Sequence, residues 1–281
     1  MQANTPYSRD FYLGQQAGSY TSASVIVPIV KEIFAPRSVC DVGCGVGTWL
    51  RAWKDNGVDD ICGLDGEYVD RSQLMIDVGN FRCHDLRKPL PSDLKYDLSM
   101  SLEVAEHLPP DRSDSFIAEL TALAPVALFS AAIPQQGGID HINEQWQSYW
   151  AGLFKKRGFS PLDVIRPAVW ENDAVERWYR QNTIIYCSND VIVDYASRCA
   201  EQKLPLSIVH PKQYVEIRQE YNVAGAFGLL RDAVQRAVMR RLKKKREMTG
   251  SADVYIDRQW RALRSASRND IVGKSDAKLS H

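Results

Sequence analysis

The sequence predicts an α/β fold: a doubly wound, seven-stranded, mostly parallel sheet followed by a helical C-terminal extension. Three observations predict it. Short apolar runs alternate with amphipathic, helix-length stretches after residue 38, the mark of parallel strands joined by crossover helices. The first run opens into a glycine-rich turn, Gly43-Cys-Gly-Val-Gly47. Acidic residues stand at or near the ends of successive runs, at Asp41, Asp65, Asp85 and Glu103, on the carboxyl edge of a parallel sheet, where ligands gather.

The elements follow in order. Val25, Ile26, Ile29, Val30 and Ile33 keep helical spacing, and Pro36 ends that segment. Strands are expected at about 38–43, 60–65, 80–85, 96–102 and 126–133, with helices near 47–55, 112–124 and 144–157. The last of these helices carries the clearest signals. Asn143 stands where a cap belongs, Trp146, Tyr149, Trp150, Leu153 and Phe154 form an i, i+3, i+4 stripe, and Gly158 follows as a stop. Two more strands, about 161–165 and 183–188, complete seven, and their close succession allows an antiparallel final pair. From about 191 the strand pattern stops, so residues 1–190 read as one domain and 191–281 as a helical, basic extension with a polar, frayed end after about 249.

Composition bounds the function. Of 281 residues, 44% are hydrophobic and 25% charged, which excludes collagen-like, wholly disordered and small disulfide-stapled classes. No apolar run approaches the roughly 18 residues of a membrane span, and residues 1–11 lack the apolar stretch of a signal peptide. Six cysteines, none in Cys-x-x-Cys, read as reduced thiols of a cytoplasmic protein. The formal net charge of zero hides a split: residues 1–200 hold 18 basic and 26 acidic groups, and residues 201–281 hold 17 and 9.

The glycine turn is the most informative motif. Glycines there let the backbone turn sharply and approach a ligand closely. A dinucleotide fingerprint needs its third glycine at position 48, which is Thr48. What stands is G-x-G-x-G after the acidic Asp41, a pattern of S-adenosylmethionine (SAM) sites; a plain strand-to-helix turn is the competing reading. Asp65, at the second strand end, is placed to accept both ribose hydroxyls of such a ligand.

From about Tyr7 to Asn182 the chain resembles a large bacterial family of class I SAM-dependent methyltransferases often associated with surface-glycan biosynthesis. The resemblance is carried by Pro36-Arg-Ser-Val-Cys-Asp-Val-Gly-Cys-Gly-Val-Gly-Thr-Trp49, Leu64-Asp-Gly-Glu-Tyr-Val-Asp-Arg71, Ser101-Leu-Glu-Val-Ala-Glu-His-Leu-Pro109, Phe129-Ser-Ala-Ala-Ile-Pro-Gln-Gln-Gly-Gly138, His141-Ile-Asn-Glu-Gln-Trp146 and Trp178-Tyr-Arg-Gln-Asn182. It implies the Rossmann-like methyltransferase fold with SAM as cofactor. It places Asp41, Gly43, Cys44, Gly45 and Gly47 on the cofactor, Asp65 on its ribose, Asp85 and Leu86 beside its adenine, and Ser101 and Glu103 beside its methionine end. The implied acceptor is a glycan or another hydroxyl-bearing molecule.

Methyl transfer to a hydroxyl needs an acceptor held in line and a proton removed. His107 and His141 are the candidate proton acceptors. Glu103, Glu106 and His107 stand at i, i+3 and i+4, so in a helix they share a face. With His141 they could hold Mg²⁺ or Mn²⁺, which lowers the pKa of a bound hydroxyl. The Glu-x-x-Glu-His order with a later histidine is similar to that of metal-dependent small-RNA and ubiquinone O-methyltransferases. The alternative is that Glu103 meets the cofactor, Glu106 is solvated and His107 packs. The segment 135–141, with two glycines beside His141, reads as a lid.

Between residues 226 and 248, Phe227, Leu230, Val234, Val238 and Leu242 keep helical spacing beside eight basic residues. Such a helix suits peripheral contact with an anionic membrane. Nucleic acid is the less favoured partner, and a solvated helix packed on the catalytic domain is the plain alternative.

Overall fold

The computed structural model of the chain describes residues 9–191 and 205–220. The first compact unit is Met1–Ile217 and the second Arg218–His281. The basic stretch 226–248 lies outside the described residues. In order, the elements are α1 (Arg9–Phe34), β1 (Ser38–Val42), α2 (Thr48–Asp55), β2 (Asp60–Asp65), β3 (Phe81–Cys83), β4 (Leu98–Leu102) and α3 (Ser113–Leu123). Then come β5 (Val126–Ser130), α4 (Gln147–Lys156), β6 (Phe159–Leu162), α5 (Ile165–Val169), α6 (Arg177–Asn182), β7 (Ile184–Ser188) and α7 (Pro211–Glu220).

The seven strands form one sheet in the order β3-β2-β1-β4-β5-β7-β6. β1 to β5 are parallel, and β7 runs antiparallel to both β5 and β6. The strand order reverses between β1 and β4, which opens a crevice at their carboxyl ends, the place where open α/β sheets bind ligands.

Alternate residues of each strand feed two cores, as the period of two requires. On one face Val39, Leu98, Met100, Leu128 and Ile185 pack with Ile26, Val27 and Val30 of α1 and Trp49, Leu50 and Trp53 of α2. On the other, Cys40, Val42, Ala127, Phe129 and Tyr186 meet Phe116, Ile117 and Leu120 of α3 and Trp150, Leu153 and Phe154 of α4. Burying each large side chain contributes roughly 1.5–3 kcal/mol, which fixes the sheet as a rigid platform under the crevice.

Several expectations are corrected. α1 begins at Arg9 rather than near 24 and carries Pro28 within it; it ends where Ala35 turns to φ 45°. α4 begins at Gln147, not 144, because Asn143 is no cap: its Nδ2 donates instead to Ser113 Oγ at 2.9 Å. Of the aromatic stripe, Trp150, Leu153 and Phe154 are buried while Trp146 and Tyr149 are exposed. β5 stops at Ser130, three residues early. α5 and α6, five and six residues long, are too short to show a period. Among the described cysteines, Cys40, Cys44, Cys62 and Cys187 are buried, whereas Cys83 is exposed. No helix among the described residues is long and apolar enough to cross a membrane.

Candidate active site

The glycine turn leaves β1 and enters α2 with Gly43, Gly45 and Gly47 all at positive φ. They do different work. A Cβ on Gly43 would lie 2.7 Å from Val104 Cγ1, whereas a Cβ on Gly45 would meet nothing within 4 Å among the described residues. Gly43 therefore lets the turn pack against the chain after β4. Gly45 faces open space, on the side a ligand can approach. Cys44 is buried, with Sγ toward the carbonyl of Gly45 at 3.4 Å, so it offers a ligand its backbone only.

Two carboxylates lie under this turn. Asp41 is buried, and burial followed by the Asp65 charge pushes its pKa up to about 8. Asp65, at the end of β2, accepts from the N–H of Gly45 at 2.7 Å through Oδ2. Its Oδ1 accepts from the N–H of Gly66 at 2.6 Å and from the hydroxyl of Tyr68. The Asp65 carbonyl accepts from the N–H of His84 at 2.7 Å, which brings the next strand end alongside. There Asp85 is turned away into a two-armed pair with Arg87, both contacts 2.8 Å; these bonds hold its pKa down to about 2. Leu86 is buried in the second core, and Ser101 is buried with no hydrogen-bond partner for its hydroxyl among the described residues.

Beyond β4 the structure departs from the expected helix. Glu103 adopts φ 55°, a left-handed conformation that costs a non-glycine residue about 1–3 kcal/mol and collects at functional sites. It turns the side chain toward Gln136 and Asn182, whose amides donate to Glu103 Oε2 at 2.7 Å and Oε1 at 3.1 Å. Burial pushes the Glu103 pKa up, against these bonds. Ala105–His107 then forms a single 3-10 turn, so Glu103 shares no face with Glu106 and His107.

Glu106, His107 and His141 do come together. Their ligand atoms lie within 4.8 Å of one another. The Glu106 carbonyl accepts from the N–H groups of Ile142 and Asn143 at 2.9 and 3.0 Å, which fastens the lid end beside it. Glu106 is fully buried; among the described residues no side chain hydrogen-bonds its carboxylate oxygens, and the backbone N–H groups of Glu106 and Ala132 favour its charged form. Burial and then the Glu103 charge hold its pKa well above the ordinary carboxylate range. His141 Nδ1 meets Glu144 Oε1 at 2.9 Å, and its Nε2 stands 4.0 Å from Glu106 Oε1. Burial opposes ionisation of Glu144, but the bonds from His141 and from the N–H groups of Gln135 and Gly137 win and lower its pKa. Against an ionised Glu144, which can only accept, Nδ1 is the donor, and this contact turns Nε2 toward Glu106. The His107 ring stands edge-on to His141, centroids 4.7 Å apart, and burial followed by His141 lowers its pKa.

A family model described as a methyltransferase domain matches residues 17–163, more than half of the chain and the whole of the crevice from the glycine turn to the lid. The chain belongs to this methyltransferase family. Two solved structures similar to the methyltransferase are a sugar N-methyltransferase from Streptoalloteichus sp. and a magnesium protoporphyrin IX methyltransferase from Synechocystis. The first is 12% identical, with a TM-score of 0.50, over 67% of this chain and 98% of its own. The second is 19% identical, with a TM-score of 0.45, over 67% of this chain and 87% of its own. No curated protein matches.

Of the expected residues, the crevice unites Asp41, Gly43, Gly45, Asp65 and Glu103, and it gathers Glu106, His107 and His141 beside them. It leaves Glu103 out of the possible metal set and Asp85 bound to Arg87. Sequence reasoning missed Tyr68, Gln136, Glu144 and Asn182. Glu144 is three residues from His141 and Tyr68 three from Asp65, a local signal; Gln136 and Asn182 meet Glu103 across 33 and 79 residues and gave none.

Proposed function

We propose that the protein transfers the methyl group of SAM to a hydroxyl of a sugar in glycan or glycolipid biosynthesis. The observation that carries the reading is the His141–Glu144 pair, oriented with Nε2 toward a buried carboxylate beside the glycine turn. In the reaction the acceptor oxygen bonds to the methyl carbon as the carbon–sulfur bond breaks, its electron pair passing to sulfur to leave S-adenosylhomocysteine. The sulfonium methyl is already activated, so the protein has two tasks: hold the acceptor in line and take its proton. His141 Nε2 receives that proton, and Glu144 and Glu106 hold the resulting positive charge.

The same donors fit a divalent cation, because Glu106 offers two oxygens that no side chain among the described residues bonds, beside two imidazoles. Two nitrogen donors suit Mn²⁺ better than Mg²⁺. Such an ion, held by Glu106, His107 and His141, supplies a lowered pKa for the acceptor hydroxyl.

The Gly45 side of the crevice and Asp65 receive the adenosyl group in this reading. Calorimetry tests it: Asp65→Ala is expected to weaken SAM binding by about 1–3 kcal/mol, roughly 5-fold to 150-fold. Unchanged affinity in that variant, or no binding to the native chain, would count against the assignment. S-adenosylhomocysteine release with nucleotide-sugar and lipid-linked glycan acceptors tests the substrate class, and turnover with small phenols but no glycan would redirect it.

A sugar platform is also at hand. Ile142, Trp146 and Tyr149 are exposed at 58, 42 and 38% on the segment that carries His141, and aromatic faces stack on the C–H faces of sugars. Trp146→Ala is expected to raise the acceptor KM about tenfold, from loss of roughly 1–2 kcal/mol of contact, while leaving SAM affinity unchanged. Equal KM values in steady-state assays would remove Trp146 from the acceptor site.

A further inference from the structure

We infer that Tyr68 is an affinity-setting residue of the cofactor site, whose hydroxyl competes with the cofactor ribose for Asp65. The inference rests on the reading of Asp65 as the ribose carboxylate. A carboxylate offers about four lone-pair sites. At Asp65 two are taken by the N–H groups of Gly45 and Gly66, at 2.7 and 2.6 Å, and these bonds belong to the turn itself. Two sites remain, and a ribose bound through both hydroxyls needs two. The Tyr68 hydroxyl already uses one of them, on Oδ1. Full ribose binding therefore requires that hydroxyl to leave.

The surroundings of Tyr68 make that departure cheap. The residue is 83% exposed, so its release disturbs no core packing. It belongs to a short local turn, in which the N–H of Val69 donates to the carbonyl of Gly66 at 3.2 Å. The ring lies against Gly66, where a Cβ would stand 2.6 Å from Tyr68 Cδ1. A single exposed tyrosine is ordinary on a protein surface, so it is the bond from its hydroxyl to the buried Asp65 carboxylate that points to a role. As a competitor it has one: it satisfies the Asp65 charge and sets the cofactor concentration at which the site fills.

The test is calorimetry on the full-length protein and Tyr68→Phe, each with S-adenosylhomocysteine and with its 2′-deoxy analogue. Phenylalanine keeps the exposed ring and deletes the competing donor. It is expected to bind S-adenosylhomocysteine about 3–10-fold more tightly than the native chain does, since the hydrogen bond to a charged group no longer has to be broken. The 2′-deoxy analogue needs one site only, so the two proteins are expected to bind it equally. Weaker or unchanged S-adenosylhomocysteine binding by Tyr68→Phe, or the same gain for both ligands, overturns the competition. If neither protein binds either ligand, the placement of the cofactor at Asp65 fails as well; native affinity lowered by Asp65→Ala but untouched by Tyr68→Phe isolates the failure to Tyr68.

Discussion

Glu106→Gln is expected to lower turnover by about 10²–10⁴-fold and, at the same time, to make the protein more stable at pH 8. The two effects share one cause. Glu106 is fully buried, with no side chain among the described residues bonded to its oxygens, and burial followed by the Glu103 charge holds its pKa well above the ordinary value. Between the ordinary carboxylate pKa and that raised native value, the folded chain keeps a proton that the unfolded chain has released. The sign follows: stability is greatest below the ordinary pKa and falls as pH rises toward the native one, by up to about 1.4 kcal/mol per pH unit for each such group. Asp41, pushed up to about 8, and Glu103, raised by burial, act in the same direction. Glutamine keeps the shape of Glu106 without the charge, so it removes one of the three contributions.

Activity runs the opposite way. His141 is helped by Glu106 only when that carboxylate is ionised, so turnover of the native chain rises with pH above the usual carboxylate range as stability falls. The site is paid for in this currency, as functional sites commonly are. Chemical denaturation from pH 5 to 9 and turnover over the same range measure both arms. Equal stability slopes in the two proteins would place the alkaline loss on Asp41 and Glu103, and native turnover in the glutamine variant would remove Glu106 from the chemistry. A melting temperature that rises with Mn²⁺ in the native chain, but not in Glu106→Gln, assigns the carboxylate as a ligand as well.

The parts of this site that are legible in the sequence are the parts built from contiguous residues. Gly43, Gly45 and Gly47 follow a strand directly, and Asp65 ends the next one; strand periodicity and a turn composition are enough to put both at one sheet edge. Seven strands and the antiparallel final pair are legible for the same reason. The expected helix through Glu103, Glu106 and His107 fails because local spacing assumes uniform helical dihedrals. Glu103 instead takes φ 55°, stabilised by amides from Gln136 and Asn182. Asn182 also donates to Gln136 Oε1 at 2.8 Å, and Gln181 joins at 3.2 Å. Gln213 of α7 binds the Gln136 carbonyl at 3.2 Å, and the N–H of His210 binds Gln181 at 2.8 Å. These uncharged amides sit in three separate stretches of chain, with no period or charge pattern to connect them. Only the fold does so, and it makes residues 205–216 part of the support of the lid.

The glycine turn gives the second large effect, because two of its glycines differ in what lies beyond them. Gly43→Ala places a methyl group at φ 90°, 2.7 Å from Val104 Cγ1. Left-handed strain costs roughly 1–2 kcal/mol, and overpacking against a stiff, branched neighbour about 1–3 more. For a domain of this size that is a fall in melting temperature of roughly 5–20 °C. Gly45→Ala carries the strain alone, since nothing lies within 4 Å of its Cβ, and a fall of roughly 2–8 °C is expected. Its methyl group, however, points into the space a cofactor must enter, so SAM affinity is expected to drop by more than tenfold with most of the stability kept. Adding Val104→Ala to Gly43→Ala removes the collision and should recover part of the loss non-additively; it should do nothing for Gly45→Ala. Thermal melts and calorimetry on the four variants separate the two roles. Equal melting losses at both glycines, or SAM binding unchanged in Gly45→Ala, would mean that the open side of the turn is not where the ligand comes in.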